Sequence, residues 1–241
     1  MCTLSWIISK NGYELFFNRD EQRTRQKAII PALNTSTGII MPTDPESRGT
    51  WIACNHQGET LCLLNNYQKQ ATMNPHINYI SRGKIIPEIL SSVQQNFSEN
   101  LKQFDLKNYL PFYLCHFPGN LNTVNSSKIS IYQWNGEQLT QVTASQPFIS
   151  SGVLLQQVQA SRRSLFTQII VDNGSSEQHI TYHRSHLPDK NHLSVCMHRE
   201  DARTQSLSHI SVSNVITFRY HDGPPCENNK WSVVKTEKLT S

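Results

Sequence analysis

The sequence predicts an α+β domain with largely antiparallel sheets, and three observations carry that expectation. Apolar and polar side chains alternate with a period of two along most of the length, Asn-Gly pairs stand between strand-like runs, and only two segments show helical spacing. No β-α-β rhythm and no internal repeat competes with this reading.

The elements follow in chain order. Residues 2 to 8 and 13 to 17 read as strands around Asn11-Gly12, the strongest short hairpin signal. Thr50 to Cys54, Thr60 to Leu64 and Phe112 to Phe117 are further strands. A second Asn-Gly, Asn135-Gly136, joins Lys128 to Trp134 with Glu137 to Val142. His179 to Tyr182, Ser206 to Val212 and Val215 to Tyr220 complete the strands. Lys84 to Val93 is expected to be helical, with Pro87 tolerated in the first turn. Ser151 to Val171 is the second helix: Leu154/Leu155, Val158, Arg162, Leu165/Phe166 and Ile169/Ile170 form one stripe, and Asp172-Asn173-Gly174 stops it.

Composition narrows the function classes. The chain has 241 residues, and 22 Lys+Arg against 18 Asp+Glu give a charge of +4 with no Lys/Arg run longer than two, so no nucleic-acid partner is expected. Ser, Thr, Asn and Gln are abundant but scattered among apolar runs, which predicts a folded chain. A membrane-spanning helix needs about 20 consecutive apolar residues; runs such as Val153-Leu154-Leu155 are far shorter, and no transmembrane segment is expected. The first residues lack a basic segment ahead of an apolar one, so the expected location is cytoplasmic. Six widely spaced cysteines (Cys2, Cys54, Cys62, Cys115, Cys196, Cys226) with no Cys-x-x-Cys pair predict free thiols and no metal centre.

Cys2 is the residue of greatest chemical interest. If Met1 is removed, Cys2 carries a thiol nucleophile and an α-amine of pKa about 7.7–8.0 on one residue, so nucleophile and base coincide. If Met1 is retained, that nitrogen is an amide and the base does not exist. The plainer alternative is a small apolar residue opening a buried strand.

Met1-Cys2-Thr3, Asn18-Arg19-Asp20-Glu21, Pro42-Thr43-Asp44, Gly49-Thr50-Trp51, Leu64-Asn65-Asn66 and Ser81-Arg82-Gly83 occur in that order. They are followed by Cys196-Met197-His198-Arg199, Ala202-Arg203-Thr204-Gln205-Ser206 and Gly223-Pro224-Pro225-Cys226. With these motifs the chain resembles the NRDE family, the transport-and-Golgi-organisation-2 homologues. The resemblance implies a four-layer αββα sandwich like that of N-terminal-nucleophile hydrolases, with two mostly antiparallel sheets, distantly similar to choloylglycine hydrolases and penicillin V acylases. It also implies a single domain over residues 1–241, with a peripheral tail after about residue 226.

A two-residue Asn11-Gly12 loop sets Lys10 opposite Tyr13, Leu4 opposite Arg19 and Cys2 opposite Glu21, with Arg19 in diagonal reach of Cys2, about 7–8 Å away. Arg19 is then expected to favour the thiolate. Asp20 points to the other face unless the chain turns after Arg19; with that turn it is expected to hold the Cys2 amine. The alternative for Arg19-Asp20-Glu21 is an exposed ion-pair turn.

The distant acylases nominate two more residues by resemblance: Asn55, before Gly58, as an oxyanion donor, and Arg203 as a late arginine near the cysteine. The plain alternatives are a turn asparagine and a surface salt bridge to Glu200 or Asp201. A second oxyanion asparagine of those enzymes falls near Thr143-Ala144-Ser145, where this chain has none. In the acylases the arginine and aspartate are also separated, whereas here Arg19 and Asp20 are adjacent.

Seven of the ten histidines (His179, His183, His186, His192, His198, His209, His221) fall in the last third. Most are expected at the surface, and a strand reading sets His183 and His186 on opposite faces, which spoils a chelate. Two functions follow. One is cysteine amidohydrolase or acyl-transfer chemistry on an amide, ester or thioester, needing no cofactor. The other, implied by the family's association with haem trafficking and acyl-coenzyme A, is a pocket protein binding haem or an acyl compound, with histidine as a releasable haem ligand.

Overall fold

The fold is that of a computed structural model describing residues 1–70, 74, 76–91, 97–125 and 127–239. The chain opens with β1 (Cys2–Ser9), β2 (Gly12–Gln22), β3 (Ile29–Asn34), β4 (Ile39–Thr43), β5 (Ile52–Asn55) and β6 (Thr60–Asn65). Short helices α1 (Tyr67–Gln70), α2 (Ile85–Leu90) and α3 (Phe97–Gln103) follow. Then come β7 (Phe112–Phe117), β8 (Ser130–Trp134), β9 (Leu139–Val142), β10 (Phe148–Ser150), α4 (Leu155–Ile169) and α5 (Ser176–Arg184). Strands β11 (Ala202–Val212), β12 (Val215–Asp222) and β13 (Ser232–Glu237) complete the chain.

Two antiparallel sheets result, ordered β10-β1-β2-β11-β12-β13 and β3-β4-β5-β6-β7-β8-β9. They face each other across the main core. Leu4, Trp6, Tyr13, Leu15 and Phe17 of the first sheet meet Ile40, Ile52, Cys54, Cys62 and Phe117 of the second. Ala53, Leu61, Leu63, Phe112 and Leu114 on the second sheet's outer face are covered by Ile85, Ile86, Ile89, Phe97 and Leu101 of α2 and α3. Helices α4 and α5 cover the first sheet, so the layers run helix, sheet, sheet, helix. Burying each such Leu, Ile or Phe is worth about 1.5–3 kcal/mol, which is why alternation in the strands dictates the layering.

Several expectations need correction. The first hairpin turns through Lys10 and Asn11, so Ser9 lies opposite Gly12, Leu4 opposite Phe17 and Cys2 opposite Arg19. Gly12, at φ +140°, lies so close to the Val212 carbonyl that no Cβ fits there, and this packing against β11 fixes the turn. The slip from the expected register is two residues, an even number, so every side chain keeps its face. Residues 179–182 are not a strand but part of α5. The expected helix from Lys84 is a 3₁₀ turn at Arg82–Lys84 followed by α2, and its expected end, Val93, lies outside the described residues. The tail, by contrast, lies at the sheet's edge, where Ser232–Glu237 form β13, the outermost strand, hydrogen-bonded to β12.

Candidate functional site

Cys2, at the start of β1, is flanked by Arg19 on β2 and Ser150 on β10. Its side chain lies on the floor of a cleft of about 510 Å³ walled by Arg19, Glu21, Asp44, Trp51, Asn65 and Arg82, among others. These walls come from the motif blocks around Asp44, Gly49-Thr50-Trp51, Asn65 and Ser81-Arg82-Gly83. The sequence motifs carried the signal for these residues, but their roles were not assigned from sequence.

Arg19 is buried and fixed from three sides. Its Nη2 donates to Asp44 Oδ2 at 3.0 Å and to Glu21 Oε2 at 3.2 Å, and its guanidinium stacks 4.1 Å from the Trp51 ring centroid. Asp44 also receives Arg25 through Nε and Nη2, and the backbone N–H groups of Glu46 and Ser47. Burial alone raises the Asp44 pKa, but hydrogen bonds from Arg25 and Ser47 and the charges of Arg25 and Arg19 outweigh it and hold the carboxyl below the usual range. The expected cation beside Cys2 is therefore present, directly opposite instead of diagonal.

With Met1 in place, the Cys2 nitrogen is a peptide nitrogen. The thiol is pushed up to about 11 by burial, with the Asp20 charge adding to the shift and the N-terminal amine and Arg19 opposing it. The amine belongs to Met1, buried against Met197 and Ala202, and it donates to the Asp20 carbonyl at 3.3 Å and the Tyr67 hydroxyl at 3.1 Å. Tyr67 Oη also accepts from Asn65 Nδ2 at 3.0 Å. One short network thus joins the chain start to the cleft asparagine.

Strand β2 does not turn after Arg19, so the Asp20 carboxylate lies on the far face, as the strand's alternation requires. There Oδ1 accepts from Thr204 Oγ1 at 2.6 Å, and Oδ2 stands 3.5 Å from the fully buried Arg162, which donates to Thr3 Oγ1 at 2.5 Å. The expected turn that would aim this carboxylate at the Cys2 amine is therefore absent. Beside the chain start are the Asp20 carbonyl, which accepts from the Met1 amine, and its N–H, which donates to the Met1 carbonyl at 2.9 Å.

Asn55 is not brought to the cleft. Its Oδ1 accepts from the N–H groups of Gln57 and Glu59, making it a turn residue at the end of β5. Asn65 is the asparagine that lines the cleft. Arg203 is also not brought to the cleft; it pairs with Glu227 at 3.5 Å, not with Glu200 or Asp201. Arg82, by contrast, lines the cleft, donates to the Pro111 carbonyl and has no ion-pair partner among the described residues.

Two groups of histidines stand out. His179, His183, His209 and His221 are buried, contrary to the surface expectation. His179 and His183 both bond Ser5 Oγ, at 2.7 and 2.8 Å, while His209 meets Glu14 at 2.7 Å. His186 instead joins Cys196, His198 and Cys226, whose ligand atoms all lie within 4.8 Å of one another.

Comparison with known proteins places this geometry. The family model for Transport and Golgi organisation 2 matches residues 1–220. No curated protein sequence matches the chain. Among solved structures, the chain is similar to a Caenorhabditis elegans N-acylethanolamine-hydrolyzing acid amidase ortholog, with TM-score 0.54 and 10% identity over 87% of this chain and 92% of that one. It is also similar to the mutant C2A of a conjugated bile acid hydrolase from Clostridium perfringens, with TM-score 0.54 and 11% identity over 100% of this chain and 94% of that one. At such identities the likeness is one of fold, the αββα sandwich of N-terminal-nucleophile hydrolases.

Proposed function

The chain belongs to the Transport and Golgi organisation 2 family, and from that premise we propose that it is a cysteine-centred acyl-transfer hydrolase working on a small amide, ester or thioester in the cleft above Cys2. The observation that carries this reading is the placement of Cys2 on the cleft floor directly opposite the fixed Arg19 cation. The fold's resemblance to an amidase and a bile acid hydrolase supports it by analogy only.

In this reading Met1 is removed and the α-amine moves to Cys2. The amine takes the thiol proton, and Sγ attacks the substrate carbonyl to form a tetrahedral intermediate. That intermediate collapses to a thioester on Cys2 while the proton passes to the leaving amine, alcohol or thiol. Water then attacks the thioester, releasing the acid and restoring the thiol. Asn65 Nδ2 is the side-chain amide in the cleft suited to the oxyanion, and Arg82 suits an anionic end of the substrate.

The test combines intact mass with an electrophilic acyl probe. Purified protein is expected to lack Met1 and to gain one acyl mass per chain, and Cys2→Ala is expected to abolish the gain. Arg19→Ala is expected to slow labelling at neutral pH, because a cation that favours the thiolate is lost from beside Cys2. Met1 quantitatively retained, or labelling that persists in Cys2→Ala, overturns the proposal.

One observation favours a second reading, binding without chemistry: the Arg82 cation, which has no ion-pair partner among the described residues, shares the cleft with a thiol held protonated by burial. Acyl-coenzyme A, with its phosphates, suits such a cleft. Haem suits it less, because none of the ten histidines lines it and its walls are charged. In this case calorimetric binding of an acyl thioester survives Cys2→Ala.

A further inference from the structure

Cys196-Met197-His198 and Gly223-Pro224-Pro225-Cys226 are two motif blocks that the cleft does not use. Both end up in one place, on the far side of Met1 from the cleft. Cys196 lies in a bend and His198 in an isolated bridge to Arg203 ahead of β11, Cys226 follows β12, and His186 follows α5. Four potential ligands thus converge from three segments, with ligand atoms within 4.8 Å of one another.

We propose that His186, Cys196, His198 and Cys226 bind one divalent metal ion in a tetrahedral site, with Zn²⁺ the ion that this donor set selects. Two thiolates and two imidazoles form the Cys₂His₂ set of structural zinc centres, and the thiolates neutralise the ion's charge. The distances fit. Zn–S near 2.3 Å and Zn–N near 2.0–2.1 Å at a tetrahedral angle put sulfur and nitrogen about 3.6 Å apart. His198 Nε2 stands 3.6 Å from Cys196 Sγ and 3.4 Å from Cys226 Sγ. His186 Nε2 is buried and has no hydrogen-bond partner among the described residues, as expected of an atom reserved for a ligand. Binding converts two thiols to thiolates and releases two protons to solvent.

The frame is already rigid. Cys196 N–H donates to the Ser185 carbonyl at 3.0 Å, and the Cys196 carbonyl accepts from Ser194 Oγ at 2.9 Å. Met197, between two of the ligands, packs on Met1, and its N–H donates to Thr204 Oγ1, the hydroxyl that in turn donates to Asp20. The ion therefore ties the segments after α5 and β12 to the run around Met197, whose N–H reaches Asp20 through Thr204 whether or not Met1 is present. A search for Cys-x-x-Cys misses such a site because its ligands are scattered over forty-one residues of chain, from His186 to Cys226.

The test is cobalt substitution in the reduced, chelator-treated full chain. One equivalent of Co²⁺ is expected to give a thiolate-to-cobalt charge-transfer band and the intense visible bands of tetrahedral cobalt, both lost on adding Zn²⁺. A Cys196→Ser, Cys226→Ser double variant is expected to lose the charge-transfer band. Because that variant also alters packing, His186→Ala on the more exposed loop provides a second reading: it is expected to weaken cobalt binding by more than the roughly 10–100-fold that loss of an outer partner costs. A reduced wild-type chain that shows no charge-transfer band overturns the proposal. So does a band undiminished in the double variant, or unchanged cobalt affinity in His186→Ala.

Discussion

Asp44 shows how one side chain sets the character of the cleft. It accepts from two arginines and two backbone N–H groups, so Arg19 is held against Trp51 beside Cys2 instead of swinging into solvent. Asp44→Asn leaves Arg19 buried with only Glu21 as a carboxylate, and removing one partner of such a buried pair costs about 3–5 kcal/mol. Since Arg25 is partly exposed, the lower end is expected, read as a drop in urea midpoint without a change in slope. A loss below about 0.5 kcal/mol is what an exposed pair gives and would contradict this account. The sign with pH follows: the Asp44 pKa is depressed in the fold, so its contribution is complete above the unfolded value of about 3.9 and is lost as the pH falls through the lower, folded value. Sequence located Asp44 in a motif but gave it no partner, because Arg19 and Arg25 reach it only once β2 and β4 are placed.

At the scale of elements, α5 shows what sequence reasoning missed and why. His179-Ile180-Thr181-Tyr182 is rich in β-branched and aromatic side chains and reads as a strand. Yet Ser175 and Gln178 form a reciprocal capping box that starts a helix, and helical spacing puts His179, Tyr182 and His183 on one buried face. The Ser175-x-x-Gln178 capping pattern is legible in the sequence, whereas the strand reading of residues 179–182 rests on propensity alone. Strands such as Phe112–Phe117 had the bounds expected because their alternation is clean. In contrast, β3 carries Pro31 and an irregular register between Ile29 and Ala32, the features of an edge strand, and was missed. The buried face of α5 has a consequence for acid stability. Burial, together with the charges of His179, Arg162 and His209, holds the His183 pKa well below 6.5, and its Nδ1 has no hydrogen-bond partner among the described residues. The folded chain keeps this ring neutral while the unfolded chain takes up a proton below about pH 6.5. Stability is therefore expected to fall with decreasing pH from that point, by up to about 1.4 kcal/mol per pH unit for this group. His183→Leu is expected to remove about one proton's worth of that slope in denaturation measured across the range. An unchanged slope would mean that other groups carry the acid sensitivity.

At the scale of the whole molecule, the cleft exists because distant motif blocks touch through their backbones. Thr50 N–H donates to the Gly83 carbonyl at 2.8 Å, and a Cβ on Gly49 would stand 2.5 Å from that carbonyl oxygen and 2.8 Å from the Gly83 Cα. No rotamer relieves contacts with backbone, so glycine at 49 is what lets the loop before β5 lie against the turn at Arg82–Lys84. That contact sets where Trp51 and Arg82 stand over Cys2. Sequence could show that Gly49-Thr50-Trp51 and Ser81-Arg82-Gly83 belong to one family pattern, but not that they meet, since contacts across 34 residues of chain leave no local period. Gly49→Ala is expected to force the two segments apart, at a cost of about 1–3 kcal/mol typical of overpacking. It should also displace Arg82 and Trp51 from their places over the cleft floor. The fold beyond the cleft is untouched by the substitution, so the chain should still melt cooperatively, at a lower temperature, while the rate of acyl-probe labelling at Cys2 falls. Melting and labelling measured on the same preparation separate the effects: a lowered melting temperature with wild-type labelling would show that the Gly49–Gly83 contact supports the fold without shaping the site.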